Sequence, residues 1–206
     1  MTGTEPIPGS KSVPAEFRER HAEADASGRP PAEYHDGVRN TRWTFDAPAV
    51  RAFVERHLVG KTLNLFAGKT RLVHPDGAEI RRNDTNDDRD ADTHRDALGL
   101  ADDLTAESFG TVVIDPPFTV RKGNEKYDGE TVGRWKTLLD RIAPVIEPGG
   151  HVLTFGRSTT GLGHGRGFEK VAVGVFNHGG DFNDTLAVVE RRTNQSLAEF
   201  ADGGKG

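Results

Sequence analysis

Thr111-Val112-Val113-Ile114 runs directly into Asp115-Pro116-Pro117-Phe118. The four apolar or β-branched residues predict a buried parallel strand. The two prolines end it, because neither can donate a ladder hydrogen bond and each fixes φ. A carboxylate, a stiff carbonyl and an aromatic ring are thereby expected at the carboxyl end of a central strand, where open α/β sheets bind ligands. That set suits an amino nitrogen conjugated to a ring, which is a poor nucleophile because its lone pair is delocalised. With its two N–H bonds accepted by the Asp115 side chain and the Pro116 carbonyl, the nitrogen becomes more tetrahedral and its lone pair turns toward a methyl donor. Phe118 can stack on the flipped base. The alternative is an aspartate and a proline turn that only end a strand.

Bulk composition narrows the classes. The 206 residues suit one domain with a sizeable core plus tails. With no cysteine, disulfides, cysteine zinc sites and thiol catalysis are excluded. No stretch approaches 18 consecutive apolar residues and the N-terminus lacks the apolar core of a signal peptide, so a soluble, cytoplasmic protein with no membrane partner is expected. A net charge of -5 argues against general electrostatic attraction to nucleic acid but does not veto a nucleic-acid substrate.

In chain order, residues 1–38 are rich in Pro, Gly, Ser, Glu and Arg and predict a disordered arm, or alternatively a clamp on nucleic acid. Asp46 suits an N-cap, with Pro48 in the first turn and Val50, Phe53, Val54 and Leu58 at helical spacing. A strand over 61–65 leads into Phe66-Ala67-Gly68, and the His74-Pro75-Asp76-Gly77 turn leads into a second strand, Ala78–Arg82. So little chain separates the two that the crossover helix is expected to be missing or reduced to a turn. Residues 91–97 predict a third strand ending at Asp96, and 100–109 a short helix capped by Thr105. Past Phe118, a loop carries Arg121, Lys122 and Tyr127, able to meet phosphates and stack a base. A helix over 131–146, a strand over 151–155, a glycine-rich loop and a hairpin of 168–176 with 185–191 complete the series, before a flexible tail, 193–206.

Asp115-Pro116-Pro117-Phe118 resembles motif IV of the class I S-adenosylmethionine-dependent amino-methyltransferases, the group acting on adenine N6 or cytosine N4. The run Asn64-Leu65-Phe66-Ala67-Gly68 resembles that family's donor-binding motif I, with Asn64 where the family usually has Asp. The helix ending in Pro148-Gly149-Gly150 and the strand after it resemble the passage that follows motif IV. The resemblance implies an α/β, Rossmann-like methyltransferase domain over 39–192. Its sheet would have seven strands, mostly parallel with one antiparallel edge strand, and reduced helices after the first and fifth strands. It implies S-adenosyl-L-methionine as cofactor and no metal. Trp43, Asn64, Phe66, Ala67, Gly68, Asp84, Asp96 and Asp115 would hold the donor. Asp115, Pro116, Pro117 and Phe118 would form the catalytic set, and Phe118, Arg121, Lys122 and Tyr127 would meet substrate. The expected reaction is methylation of an exocyclic amino group, adenine N6 in DNA, with an RNA base (adenine N6 or guanine N2) as the alternative. Because no segment is large enough for a separate recognition domain, a partner subunit or homodimer is an expected aid to target recognition. From another class, the Asn64 departure and the missing helix are features of a non-catalytic methyltransferase-like subunit.

Overall fold

A computed structural model describes residues 30–116, 130–180 and 182–193. The strands are β1 (Ala32–His35), β2 (Thr62–Asn64), β3 (Ile80–Arg82), β4 (Phe109–Ile114), β5 (Ile146–Gly156), β6 (Phe168–Phe176) and β7 (Thr185–Arg192). The helices are α1 (Pro48–Glu55), α2 (Ala97–Asp102) and α3 (Glu130–Ile142). One sheet holds all seven strands in the order β1-β6-β7-β5-β4-β2-β3. Every neighbouring pair is parallel except the two that involve β7. The strand of opposite sense therefore lies inside the sheet, between β5 and β6.

Strand β4 is buried along its whole length, as its unbroken apolar and β-branched run requires. Its side chains alternate between two cores. Val112 and Ile114 pack with α2 and α3 through Leu100, Leu138 and Ile142. Val113 faces α1 through Val50, Phe53 and Val54. Burying a side chain of this size contributes about 1.5–3 kcal/mol, so register at β4 is strongly specified. The start of β4 also needs a glycine. A side chain at Gly110 would overlap the Val59 carbonyl and Gly60, where Thr111 Oγ1 donates to the Val59 carbonyl at 2.8 Å.

Three expectations are corrected. The expected third strand is reduced to a single bridge, Asn83 to Thr93, because Asp92-Thr93-His94-Arg95 has no apolar face to bury. The seventh strand is instead β1, within the segment assigned to the arm. Its four residues are too few for their alternation to mark a strand; it is held by ladder bonds to β6, by His35 stacked on Phe176 at 4.8 Å and by a Glu33–Arg56 ion pair. Finally, the short helix lies earlier, over Ala97–Asp102, and is capped by Asp96 rather than Thr105. The strand expected over 151–155 runs over Ile146–Gly156, with a register shift where Phe109 pairs Ile146 and Thr111 pairs His151. Among the described residues, no helix is long and apolar enough to cross a membrane.

Neither reduced crossover has a full helix. Between β2 and β3 there is none, and between β5 and β6 there is only the short turn His164–Arg166. A buried carboxylate replaces the second helix. Glu190 of β7 is fully buried and accepts the Leu162 and Gly163 N–H groups at 2.6 and 2.9 Å. A side chain at Gly161 would overlap that carboxylate. Replacing Glu190 with Ala leaves two buried donors unpaired and should cost about 2–4 kcal/mol. Urea denaturation would register this, and a loss below about 0.5 kcal/mol, typical of an ordinary surface change, would show that the carboxylate does not hold the crossover.

Candidate functional site

Strands β2 and β4 are adjacent and parallel, with Asn64 opposite Val113. The Leu65 N–H continues the ladder to the Val113 carbonyl at 3.0 Å. The turn Phe66-Ala67-Gly68 therefore leaves the sheet beside Asp115 and Pro116, which directly follow β4. Asp115 is half-buried and Pro116 buried.

Hydrogen bonds to the neighbouring chain shape that turn. The Ala67 N–H donates to the Asn83 carbonyl at 2.8 Å and the Gly68 N–H to Asp84 Oδ2 at 2.9 Å. Arg82 Nη2 donates to the Gly68 carbonyl at 3.3 Å. Gly68 adopts φ 57°, in the left-handed region, and a Cβ there would lie 2.9 Å from the Trp43 ring. Glycine is thus required twice, for backbone conformation and for the indole that packs on it. The Trp43 segment is tied down on both sides. Thr41 Oγ1 donates to the Trp43 carbonyl at 2.7 Å, and Thr70 Oγ1 donates to Asp46 Oδ1 at 2.7 Å. Asp46 is therefore not the expected N-cap; Ala47 occupies that position without a side-chain cap. Pro48 has no N–H to offer a cap, and the carboxylate turns to Thr70 instead.

Asn83 joins the two halves of this region. It is 1 % exposed, and its Nδ2 donates to the Leu65 and Arg95 carbonyls at 3.1 and 3.0 Å. Its Oδ1 accepts from Thr93 Oγ1 and the Arg95 N–H at 2.9 and 3.2 Å. One side chain thus does the work of the missing third-strand ladder. From sequence it could be read only as a neighbour able to substitute for Asp84, since nothing local marks a residue whose four partners come from two other segments.

The structure brings Trp43, Asn64, Phe66, Ala67, Gly68, Asp84 and Asp115 to one region of the rim, with Asp96 joined to it through Arg95 and Asn83. It also gives the two acids duties of their own. Asp84 Oδ1 accepts the Asn86 N–H at 2.9 Å in addition to the Gly68 bond. Asp96 Oδ1 accepts from Leu98 and Gly99 at the start of α2, and its Oδ2 pairs with Arg134 at 3.5 Å. A carboxylate has about four acceptor sites, so neither acid is saturated. Asn64 differs. It is 1 % exposed, and its Oδ1 has no hydrogen-bond partner among the described residues. A buried acceptor left unpaired costs about 1–3 kcal/mol, so a donor arriving there would be stabilised. Pro117, Phe118, Arg121, Lys122 and Tyr127 lie outside the described residues.

No family model matches this chain, and no curated protein matches it in sequence. Solved structures do. The 1,6-didemethyltoxoflavin-N1-methyltransferase of Burkholderia thailandensis aligns over 92 % of this chain and 94 % of its own, with a TM-score of 0.53 and 14 % identity. The fold is that of the class I methyltransferases. A SAM-dependent methyltransferase of Methanosarcina mazei aligns over 69 % of this chain and 98 % of its own, at 10 % identity and TM-score 0.49. The N-methyltransferase NodS of Bradyrhizobium japonicum covers 86 % and 97 %, at 14 % and 0.46. The seven-stranded mixed sheet with few helices is the trimmed form of this methyltransferase fold expected from the sequence.

Asn83→Ala removes the link between the glycine turn and the segment leading to α2, and leaves buried groups of both unpaired. It should destabilise the protein by about 2–4 kcal/mol. Asn83→Asp should also weaken it, because a carboxylate cannot donate to the Leu65 and Arg95 carbonyls. Denaturant titration of both variants measures this; stability within about 0.5 kcal/mol of the parent in both would remove Asn83 from the scaffold.

Proposed function

We propose that this protein is an S-adenosylmethionine-dependent methyltransferase acting on an exocyclic amino group of a nucleobase, adenine N6 in DNA. One observation carries the reading: the Leu65–Val113 ladder bond at 3.0 Å, which sets the glycine turn beside Asp115-Pro116. The glycine turn and Asp115-Pro116 leave adjacent strands on one rim of the sheet, which supports reading them as donor turn and amino-group acceptor.

The residues fit the donor. The orphaned Asn64 Oδ1 offers a buried acceptor at the end of β2, and Gly68 lets the turn take its left-handed conformation with Trp43 packed against it. Asp84 and Asp96 keep acceptor capacity for hydroxyl and amino groups. The Burkholderia enzyme of the same fold holds S-adenosylhomocysteine, the demethylated form of this donor, which supports the same choice here. When bound, S-adenosylmethionine supplies an electrophilic methyl group. The protein's part is positioning and hydrogen bonding. Asp115 and the Pro116 carbonyl accept the two amino N–H bonds, and the proline ring keeps that carbonyl's direction fixed. Asp115 stands at the end of a rigid, buried strand, which limits the reorganisation needed on binding.

Labelled-methyl transfer to DNA and to total RNA in parallel, followed by nucleoside identification, tests the reading. Label in N6-methyladenine from DNA is the expected result, and label confined to RNA would favour the RNA alternative. Asp115→Ala should lower kcat by about 100-fold or more with little change in donor affinity by calorimetry. Asp96→Ala should weaken donor binding. Full activity in Asp115→Ala would overturn the mechanism, and an intact fold with no donor binding at millimolar concentration would return the chain to the non-catalytic class.

A further inference from the structure

A cleft of about 310 Å³ opens on the same rim, between Asn40–Thr44 and the connection from β6 to β7. Its position follows from register. Ile114 lies opposite Thr154, and Gly156 opposite Leu186, so the rim runs from Asp115 across Arg157 to Thr185. Segment Asn40–Thr44 forms the other wall, and it is this segment that presses Trp43 onto Gly68. The cleft and the glycine turn therefore share one bordering segment, Asn40–Thr44.

Its walls are pre-organised. Val38 donates its N–H to the Asn177 carbonyl at 2.9 Å. His178 Nδ1–H donates to the Val38 carbonyl at 3.0 Å, since a carbonyl can only accept. Its Nε2 is hydrogen-bonded to Thr185 Oγ1 at 2.9 Å. Asn177 Nδ2 donates to Asp184 Oδ1 at 2.9 Å, closing the base of the connection. His178 is a brace here, because both ring nitrogens are engaged.

The cleft is lined by cationic, aromatic and amide groups, with the Asp184 carboxylate, already bonded to Asn177 Nδ2, also on its wall. Arg42 and Arg157 line it, and among the described residues neither guanidinium forms an ion pair with a carboxylate; Arg42 lies over the Trp43 ring at 5.6 Å. Phe182 also lines it, 61 % exposed, an apolar ring held in water at the mouth. Asn183 and Asn40 add amide groups that can both donate and accept. Guanidinium groups match the oxygens of a phosphate, an aromatic face takes any base, and the volume sits at the lower end of small-ligand sites.

We propose that this cleft binds one nucleotide unit, its phosphate between Arg42 and Arg157 and its base against Phe182. This rests on the nucleobase reading above and names a part of the substrate site that the motifs do not contain. The shared chemistry is a base with its phosphate, supplied by a DNA strand or by a free nucleotide.

The test is fluorescence anisotropy of a labelled single-stranded oligodeoxynucleotide, with free dAMP titrated by calorimetry, on the full chain and on Arg157→Gln and Phe182→Ala. Both side chains are outside the folded core, and a thermal melt confirms that each variant folds. Each variant should weaken oligonucleotide binding about tenfold, and Arg157→Gln should reduce the log–log salt slope by about 0.7, one phosphate contact. Weakened oligonucleotide binding alone assigns the cleft to a strand, and equal weakening toward dAMP assigns it to the free nucleotide. Unchanged affinity for both ligands in both variants overturns the proposal. Donor affinity is measured alongside; its absence in the parent protein would overturn the methyltransferase reading, while the oligonucleotide and dAMP measurements would still decide the cleft.

Discussion

The end of β4 is the constraint on which the rest of the rim depends. All six residues of this strand are buried, so its register cannot slip by one residue without exchanging its two core faces. The prolines after Asp115 forbid further ladder bonding on that chain. Strand β4 must stop there, and Asp115 is left at a defined height, one residue past the Ile114–Thr154 pair.

What surrounds that point is unusually spare. A methyltransferase fold normally supports its donor turn with a crossover helix, and here Leu65 to Glu79 contains none. Side chains replace it. Asp84 takes the Gly68 N–H, Arg82 takes the Gly68 carbonyl, and Asn83 ties Leu65 to Arg95. Charge-assisted bonds to a short turn are strong for their size. They hold the backbone with few residues, but they depend on a small number of polar groups. Glu190 does the same for the crossover after β5, with two N–H groups and no helix.

The same economy gives the site two distinct sides. On one, Trp43 packs on Gly68 and the buried Asn64 Oδ1 has no partner among the described residues. On the other, the β6–β7 connection is braced by His178 and Asn177, leaving Phe182 exposed. Segment Asn40–Thr44 borders both. A displacement of this one segment would be felt at the glycine turn and at the cleft together.

Much of this was legible in the sequence because its signals are local. The β4 run and its prolines, the helical spacing of Val50, Phe53 and Val54, the absent crossover helix and the terminal hairpin each follow from neighbouring residues and their backbone preferences. The approximate grouping of Asn64, Gly68 and Asp84 with Asp115 also followed, once strand order was expected. Tertiary structure decided the rest. Ala32–His35 became a strand because β6 offered it an edge, although four residues are too few to signal one by themselves. Residues 91–97 failed to become one because a polar stretch gains nothing by burial. Asp46 and Asp96 took partners that spacing alone could not assign, and Asn83 became a hub through contacts in other segments. The cleft at Arg42, Arg157 and Phe182 has no motif at all: its residues lie far apart in the chain and meet only where three strands end together.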